Sequence, residues 1–176
     1  AGTYLLSRAA GSKTGMAADV ALGAGGKGVL LLADLDRPER FPKVFAKPST
    51  SWIARGSYAF SAFAAFGCVA LLSKQGSALH KVSGTVADTA ALVLMTYDGL
   101  FLNKSKAVAS WMPPLLPVLF AADAVKSGGA LSSAFTTPAA RWLRNLTTVS
   151  SVTTAVLSQA YVSELKEGST AARLSA

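Results

Sequence analysis

The sequence has very few side chains that could ligate a metal or form a disulfide bond. Its 176 residues contain one cysteine, Cys68, and one histidine, His80, which lies in a predicted loop between basic residues and is expected to be solvated. An iron–sulfur cluster needs about four thiolates, and a structural zinc site needs about four cysteine or histidine ligands. A bis-histidine haem needs a pair of imidazoles. We therefore expect no metal site, haem or iron–sulfur cluster in this chain, and no disulfide bond within it.

Charged side chains are also scarce. They make up 15% of the residues, against about 25% in soluble domains, whereas 51% of the residues are hydrophobic and the mean hydropathy is +0.41. Alanine, glycine and serine are abundant, and small residues let helices approach closely in lipid. The composition predicts an all-α protein, a polytopic bundle of transmembrane helices. The alternative is an alanine-rich soluble helical protein.

The net charge of +8 favours lipid over nucleic acid as a partner. The basic residues are spread over the predicted loops, with no lysine and arginine stripe interleaved with aromatic residues. Attraction to anionic lipid head groups explains this distribution. The loops on the two sides of the predicted bundle carry six basic residues each, so these charges do not orient the chain in a membrane.

A membrane-spanning helix needs about 20 mostly apolar residues. By this measure a single domain over residues 1–165 contains five to six spans, and a polar tail follows over 166–176. Because Ala1 lies within an apolar segment, the first span is expected to be only the last half of a helix, with Arg8 and Lys13 marking its exit. The centre of the last span is polar, which leaves its assignment open. The predicted spans cover 1–10, 16–33, 53–72, 82–102, 111–134 and 141–165.

Residues Gly23 to Gly28 read GAGGKG, which satisfies the spacing of a dinucleotide-binding motif. That motif must follow a strand and open a helix. Here MAADVAL precedes it, which is a poor strand, and a further apolar run follows. Close helix packing through Gly23, Ala24 and Gly28 is the better interpretation.

A dense group of charges follows the second predicted span and three prolines accompany it. Its members recur at helical spacings of three and four, so they can pair with one another on a helical turn. One interpretation is a charge-neutralised cap at the bilayer surface. The other is a docking face or the rim of a ligand site, for which the planar guanidinium of arginine is suited. The group comprises Asp34, Asp36, Arg37, Glu39 and Arg40.

Several ionisable residues lie inside predicted spans, where charge is costly and commonly functional. Asp123 and Lys126 are three residues apart and can neutralise each other on one helix face. Asp88 has no partner in its own helix, so it is a candidate for a proton path or for an interhelical bond. The candidate proton path therefore comprises Asp88, Asp123 and Lys126.

Tyr97 and Asp98 stand near the end of the fourth predicted span. A tyrosine at that depth can be an interface anchor. Beside an acid, it can also donate a hydrogen bond to a quinone carbonyl.

Three stretches resemble the NrfD/polysulfide reductase membrane-subunit family. LLLADLDRPERF, followed by KPSTSWIARGSY, is similar to the family's Asp-Leu-x-Arg-Pro-x-Arg-Phe motif and its Pro-Ser/Thr-Ser-Trp re-entry. YDGLFLNKSKAVASWMPPLLPVLF and the opening AGTYLL also match, and the three occur in the correct order over about the first 135 residues. The resemblance implies a larger bundle of eight or more spans.

The resemblance also implies a function. Such proteins are membrane-anchor subunits of respiratory oxidoreductase complexes in the prokaryotic cytoplasmic (inner) membrane. They bind quinone or menaquinone and exchange electrons with an iron–sulfur subunit and a catalytic, often molybdopterin-dependent, subunit. Because this chain has too few ligands for redox metals, a partner must carry the electrons. A proton, ion or solute transporter and a purely structural membrane anchor remain the alternatives.

The resemblance carries over Tyr97, Asp34, Arg37 and Arg40 by position. Asp98 is added because it is an acid beside Tyr97, and no catalytic residue is predicted. The expected quinone-binding residues are Tyr97, Asp98, Asp34, Arg37 and Arg40. The expected docking residues for the partner are Arg37, Glu39, Arg40 and Trp52. Because the second and fourth spans leave the membrane on the same side, we expect both groups at one end of the bundle.

Overall fold

The computed structural model describes residues 1–34, 38–46, 51–105, 114–136 and 141–174, without the side chains of 31–32, 38–40, 105 and 167–174. Every regular element in this part of the chain is helical, which confirms the prediction of an all-α protein. The elements are α1 (Gly2–Ala9), α2 (Lys13–Ala18), a π-helix (Asp19–Gly26), α3 (Lys27–Ala33), a 3₁₀ helix (Pro38–Ala46), α4 (Trp52–Leu72), α5 (Ala78–Ser105), α6 (Leu116–Phe135) and α7 (Arg141–Leu174).

Two helices in the described ranges are long and apolar enough to cross a membrane. They are Trp52–Leu72 and Ala78–Lys104, each with a mean hydropathy of 1.3. They coincide with the predicted spans over 53–72 and 82–102. The other predicted spans, the total of five to six and the larger bundle stay predictions, and residues 111–113 of the fifth span lie outside the described residues.

Two predicted segments have a different helical structure from a simple span. The segment over 16–33 consists of the end of α2, the π-helix and α3, joined end to end. Helix α7 continues past residue 165 into the predicted tail and ends at Leu174. The tail contains several good helix formers, Lys166, Glu167, Ala171, Ala172 and Arg173, so its polarity does not prevent it from extending the last helix.

The core lies where α1, the π-helix, α4 and α5 meet. The ring of Tyr4 is fully buried and packs edge-on against Phe63, with 5.2 Å between the ring centroids. Met16, Val20 and Ala87 complete this cluster. Many large apolar side chains remain exposed on the outer faces, including Leu72, Leu92 and Val149. This pattern fits helices whose outer surface contacts lipid rather than water.

Glycines let several helices approach closely, but not the ones that the sequence indicated. A Cβ atom on Gly128 of α6 would overlap the backbone of Gly2 in α1, so these two helices touch through their main chains. Gly28, in contrast, makes only ordinary contact with the ring of Phe60, and a Cβ atom on Gly23 would meet Asp19 of its own helix. Of the predicted packing positions, Ala24 is buried in the core. The closest glycine contacts therefore lie elsewhere.

Candidate functional site

Tyr97 lies where the end of α5 meets the beginning of α4. The side chain of Ser51 caps α4 by accepting a hydrogen bond from the Ala54 amide at 3.2 Å, which fixes the first turn and Trp52 within it. The Tyr97 hydroxyl donates a hydrogen bond to the backbone carbonyl oxygen of Trp52 at 2.9 Å. The contact between α4 and α5 thus brings together Tyr97, which was predicted to bind quinone, and Trp52, which was predicted to dock the partner.

The surroundings of Tyr97 include residues that the sequence analysis did not single out. Gly56 of α4 provides the space for the ring, because a Cβ atom there would overlap it. Phe101 stacks on Tyr97 with 6.0 Å between the ring centroids. The guanidinium of Arg55 lies 4.8 Å from the centre of the Trp52 ring, within the range of a cation–π contact. In the sequence WIARGSY, the position of Arg55 three residues after Trp52 was a signal for the cation–π contact, whereas Gly56 gave none.

The 3₁₀ helix packs against the same end of α4. The Tyr58 hydroxyl donates to the carbonyl oxygen of Phe45 at 3.1 Å, and the two rings meet edge-on with centroids 5.2 Å apart. Phe41 packs in the same way on Phe45 at 5.7 Å. An aromatic cluster therefore joins the segment after the charged motif to the helix that carries Trp52. We call this end of the protein, with Phe45, Trp52 and Tyr97, the signature end.

The structure describes only part of the charged motif. Asp34 follows α3, and its side chain is exposed. Asp98 is also exposed, at the end of α5 beside Tyr97. Asp36 and Arg37 lie outside the described residues. Glu39 and Arg40 belong to the 3₁₀ helix, but their side chains are not described. Whether these charges contact a quinone or a partner therefore stays a prediction.

Asp88 forms an ion pair with a residue of another helix. The Nη1 atom of Arg8 donates to Oδ2 of Asp88 at 2.5 Å, linking α1 to α5. Gly84, one turn earlier on α5, leaves room for the guanidinium, because a Cβ atom there would overlap it. The sequence had assigned Arg8 only to the exit of the first span. Its partner is 80 residues away, and that separation explains why the sequence alone did not reveal the pair.

The other two residues of the predicted proton path pair within α6. Lys126 Nζ lies 2.5 Å from Oδ1 of Asp123, at the spacing that the sequence indicated, and the Asp123 side chain is 52% exposed. No hydrogen bond or ion pair among the described residues joins this pair to Asp88. In the described part of the chain, the three residues of the predicted proton path therefore belong to two separate ion pairs. Polar contacts between α1 and α6 do occur nearby, where Ser7 donates to the Ser132 hydroxyl at 3.0 Å and Ser132 donates to the Thr3 carbonyl at 3.1 Å.

Neither a nucleotide site nor a metal cluster is found in the described ranges. The stretch over Gly23–Gly28 lies in the π-helix and the start of α3, which is not the strand, loop and helix that a dinucleotide motif requires. No group of at least three histidine, cysteine or carboxylate side chains is close enough in these ranges to hold a metal ion. Cys68 is exposed on α4.

Comparison with known protein families assigns the chain. The family described as "Polysulphide reductase, NrfD" matches residues 12–161, most of the sequence. The chain belongs to the NrfD family. This NrfD-family protein is accordingly a membrane subunit of the type found in polysulfide reductase and related reductases. No curated protein and no solved structure gave a significant match to the chain.

Proposed function

We propose that this NrfD-family protein is the quinone-binding membrane anchor of a respiratory oxidoreductase complex in the prokaryotic cytoplasmic membrane. In this proposal it takes electrons from quinol, or returns them to quinone, through an iron–sulfur partner subunit. That partner serves a catalytic subunit, molybdopterin-dependent in many related complexes. The observation that supports the proposal most is the position of the Tyr97 hydroxyl, held at the signature end beside an exposed carboxylate and an aromatic cluster.

The hydrogen bond of Tyr97 determines which role its oxygen can take. Because its proton is directed at the Trp52 carbonyl, the phenolic oxygen retains lone pairs that can accept from a quinol hydroxyl. Rotation of the hydroxyl away from Trp52 would instead allow it to donate to a quinone carbonyl. One residue can therefore bind both redox forms. Oxidation of quinol releases two electrons to the partner's cluster and two protons. In this proposal Asp98, the neighbouring exposed carboxylate, or Asp34 accepts one proton, and the other passes to water at the membrane surface.

The partner is proposed to dock at the signature end. Arg37, Glu39, Arg40 and Trp52 belong to the segment that precedes and begins α4. Arginine is well suited to bind carboxylates across an interface, and tryptophan is enriched at such contacts. A quinone near Tyr97 would then lie close to the partner's cluster, as electron transfer requires.

The substitution Tyr97→Phe tests the assignment. It removes the hydroxyl but keeps the ring that packs against Gly56 and Phe101. We expect slower quinol-coupled turnover of the assembled complex, with normal activity toward an artificial electron donor that bypasses the membrane subunit. Tyr58→Phe is the matched control, because it also deletes a hydroxyl that donates to a backbone carbonyl at this end. Equal quinol kinetics in wild type and Tyr97→Phe would refute the role of Tyr97.

A second candidate, proton movement through the bundle interior, is favoured by one observation. Oδ2 of Asp88 is bound by Arg8, but in the described part of the protein its other oxygen, Oδ1, is buried with no hydrogen-bond partner. Such an oxygen can hold a proton. Proton flux in vesicles that contain this protein alone, abolished by Asp88→Asn, would support a transport function. Absence of flux in the wild type would exclude it in favour of the anchor subunit.

A further inference from the structure

A cavity of about 150 Å³ lies at the opposite end of the bundle from Tyr97. It opens between the turn that joins α1 to α2 and the loop that joins α4 to α5. Its polar wall is formed by Arg8, Lys13, Gln75 and His80. No acidic side chain lines it. Since one water occupies about 30 Å³ in the liquid, the cavity has room for a group of several heavy atoms.

The donors in this cavity are held by contacts on their other sides. Arg8 uses one of its five N–H groups for Asp88, so others remain for a ligand. His80 does not lie solvated in a loop, as the sequence suggested, but in the first turn of α5, where it is half-buried. Its Nδ1 donates to the carbonyl oxygen of Ala70 at 2.9 Å, so Nε2 can donate to an anion when the ring is the doubly protonated imidazolium. Lys13 is exposed at the mouth.

Apolar side chains also line the cavity, among them Met16, Ala70 and Leu71. Met16 and Ala70 are almost completely buried, and Leu71 packs against the core. The neighbouring Leu72, at the end of α4, is 88% exposed on the outer surface of the bundle. A lining that combines cationic and apolar side chains suits an amphiphile whose charged head group binds the basic residues and whose hydrocarbon part follows the apolar surface.

The sequence segments that connect the helices at this end carry charges of one sign. Ser12 donates to the carbonyl oxygen of Phe135 at 2.9 Å, which ties the start of α2 to the end of α6. These segments, residues 8–16, 72–82 and 135–145, contain no aspartate or glutamate. Their basic residues are Arg8, Lys13, Lys74, Lys81, Arg141 and Arg144. An anion approaching this end therefore meets no acidic side chain from these segments.

From these observations we infer that the cavity binds the phosphate of an anionic phospholipid. Arg8, Lys13 and His80 contact the phosphate, and Met16 and Leu71 contact the adjoining hydrocarbon. Arginine and lysine are the usual phosphate ligands, and each basic residue near an anionic lipid surface contributes measurably to binding. The site is remote from Tyr97 and does not depend on quinone binding, so either assignment can fail without the other.

Native mass spectrometry of the purified protein in detergent tests the inference. Phosphatidylglycerol, phosphatidylcholine and inorganic phosphate are titrated separately. We expect phosphatidylglycerol to remain bound most strongly, and Lys13→Gln or His80→Gln to weaken its binding about fivefold each. Lys74→Gln is the matched control, because it removes a charge from the same surface but does not line the cavity; its affinity should stay close to that of wild type.

Three results would overturn the inference. An equal loss of affinity in Lys13→Gln and Lys74→Gln would mean general attraction to a basic surface rather than a site. Equal binding of phosphatidylcholine would mean that the anionic charge is not recognised. Inorganic phosphate that binds as tightly as the lipid would identify a soluble anion as the ligand. Lys13 is exposed, so its substitution leaves the fold intact and keeps the test valid even if His80→Gln disturbs the contact with Ala70.

Discussion

Breaking the ion pair between Arg8 and Asp88 should destabilise the contact between α1 and α5, because it leaves one charge partly buried without a partner. The substitution Asp88→Asn keeps the shape of the side chain but leaves the guanidinium without its counter-charge. The two side chains are only 24% and 34% exposed. Removing one member of a buried pair costs about 3–5 kcal/mol, and the partial exposure here places the expected loss near the lower limit, at about 3 kcal/mol.

The expected loss can be measured as a shift in thermal unfolding in detergent micelles. For a chain of this length about 3 kcal/mol corresponds to a decrease of roughly 6–12 °C in the unfolding midpoint. Asp123→Asn is the control, because it breaks an ion pair of the same length whose carboxylate is half exposed. An exposed pair is worth about 1 kcal/mol or less, so that variant should stay within a few degrees of wild type.

A double-mutant cycle separates the pair from other effects of the substitutions. Arg8→Gln, Asp88→Asn and the double variant are compared with wild type. If the two side chains stabilise each other, the double variant should lose clearly less than the sum of the single losses, because it leaves neither charge unpaired. Additive losses, or an Asp88→Asn variant no less stable than Asp123→Asn, would refute the reasoning.

Two further predictions concern glycines that allow close contact. Gly56→Ala places a methyl group where the Tyr97 ring lies, so it should displace the ring and slow quinol-coupled turnover, as Tyr97→Phe does. Activity is measured with quinol and with an artificial electron donor. Unchanged activity with quinol would contradict the prediction. Gly128→Val forces apart the backbones of α6 and α1 at Gly2. Overpacking of this kind costs about 1–3 kcal/mol, which should lower the midpoint of thermal unfolding. A midpoint equal to that of wild type would show that the two helices separate freely.

The features that the sequence predicted well are those that depend on local pattern. The spans over 53–72 and 82–102 followed from apolar length, and α4 and α5 occupy them. The pair of Asp123 and Lys126 followed from a spacing of three within one helix. The family followed from motifs in a fixed order, and the match over residues 12–161 confirms it. Each of these properties depends on the residues of a short segment, so the sequence alone is enough to predict it.

The features that the sequence did not predict depend on which helix faces which. Arg8 looked like a charge at the exit of a span, and only the packing of α1 against α5 shows that it neutralises Asp88. Gly56 carried no signal of its own until the ring of Tyr97 was placed against it. No simple sequence periodicity indicates the π-helix, because it differs from an α-helix in the register of its hydrogen bonds.

The distribution of acidic residues gives the two ends of the bundle different chemistry. Basic residues are equally numerous on the two sides, but Asp34, Glu39 and Asp98 lie at the signature end, whereas the connecting segments at the opposite end have no acidic residue in their sequence. At the signature end, carboxylates beside arginines can accept protons and can pair with charges on a partner protein. The opposite end can only attract anions. The quinone and partner proposals therefore require the first end, and the phospholipid proposal requires the second. Lys13→Glu should therefore weaken phospholipid binding and leave quinol-coupled turnover unchanged. Asp98→Asn should slow quinol-coupled turnover and leave phospholipid binding unchanged.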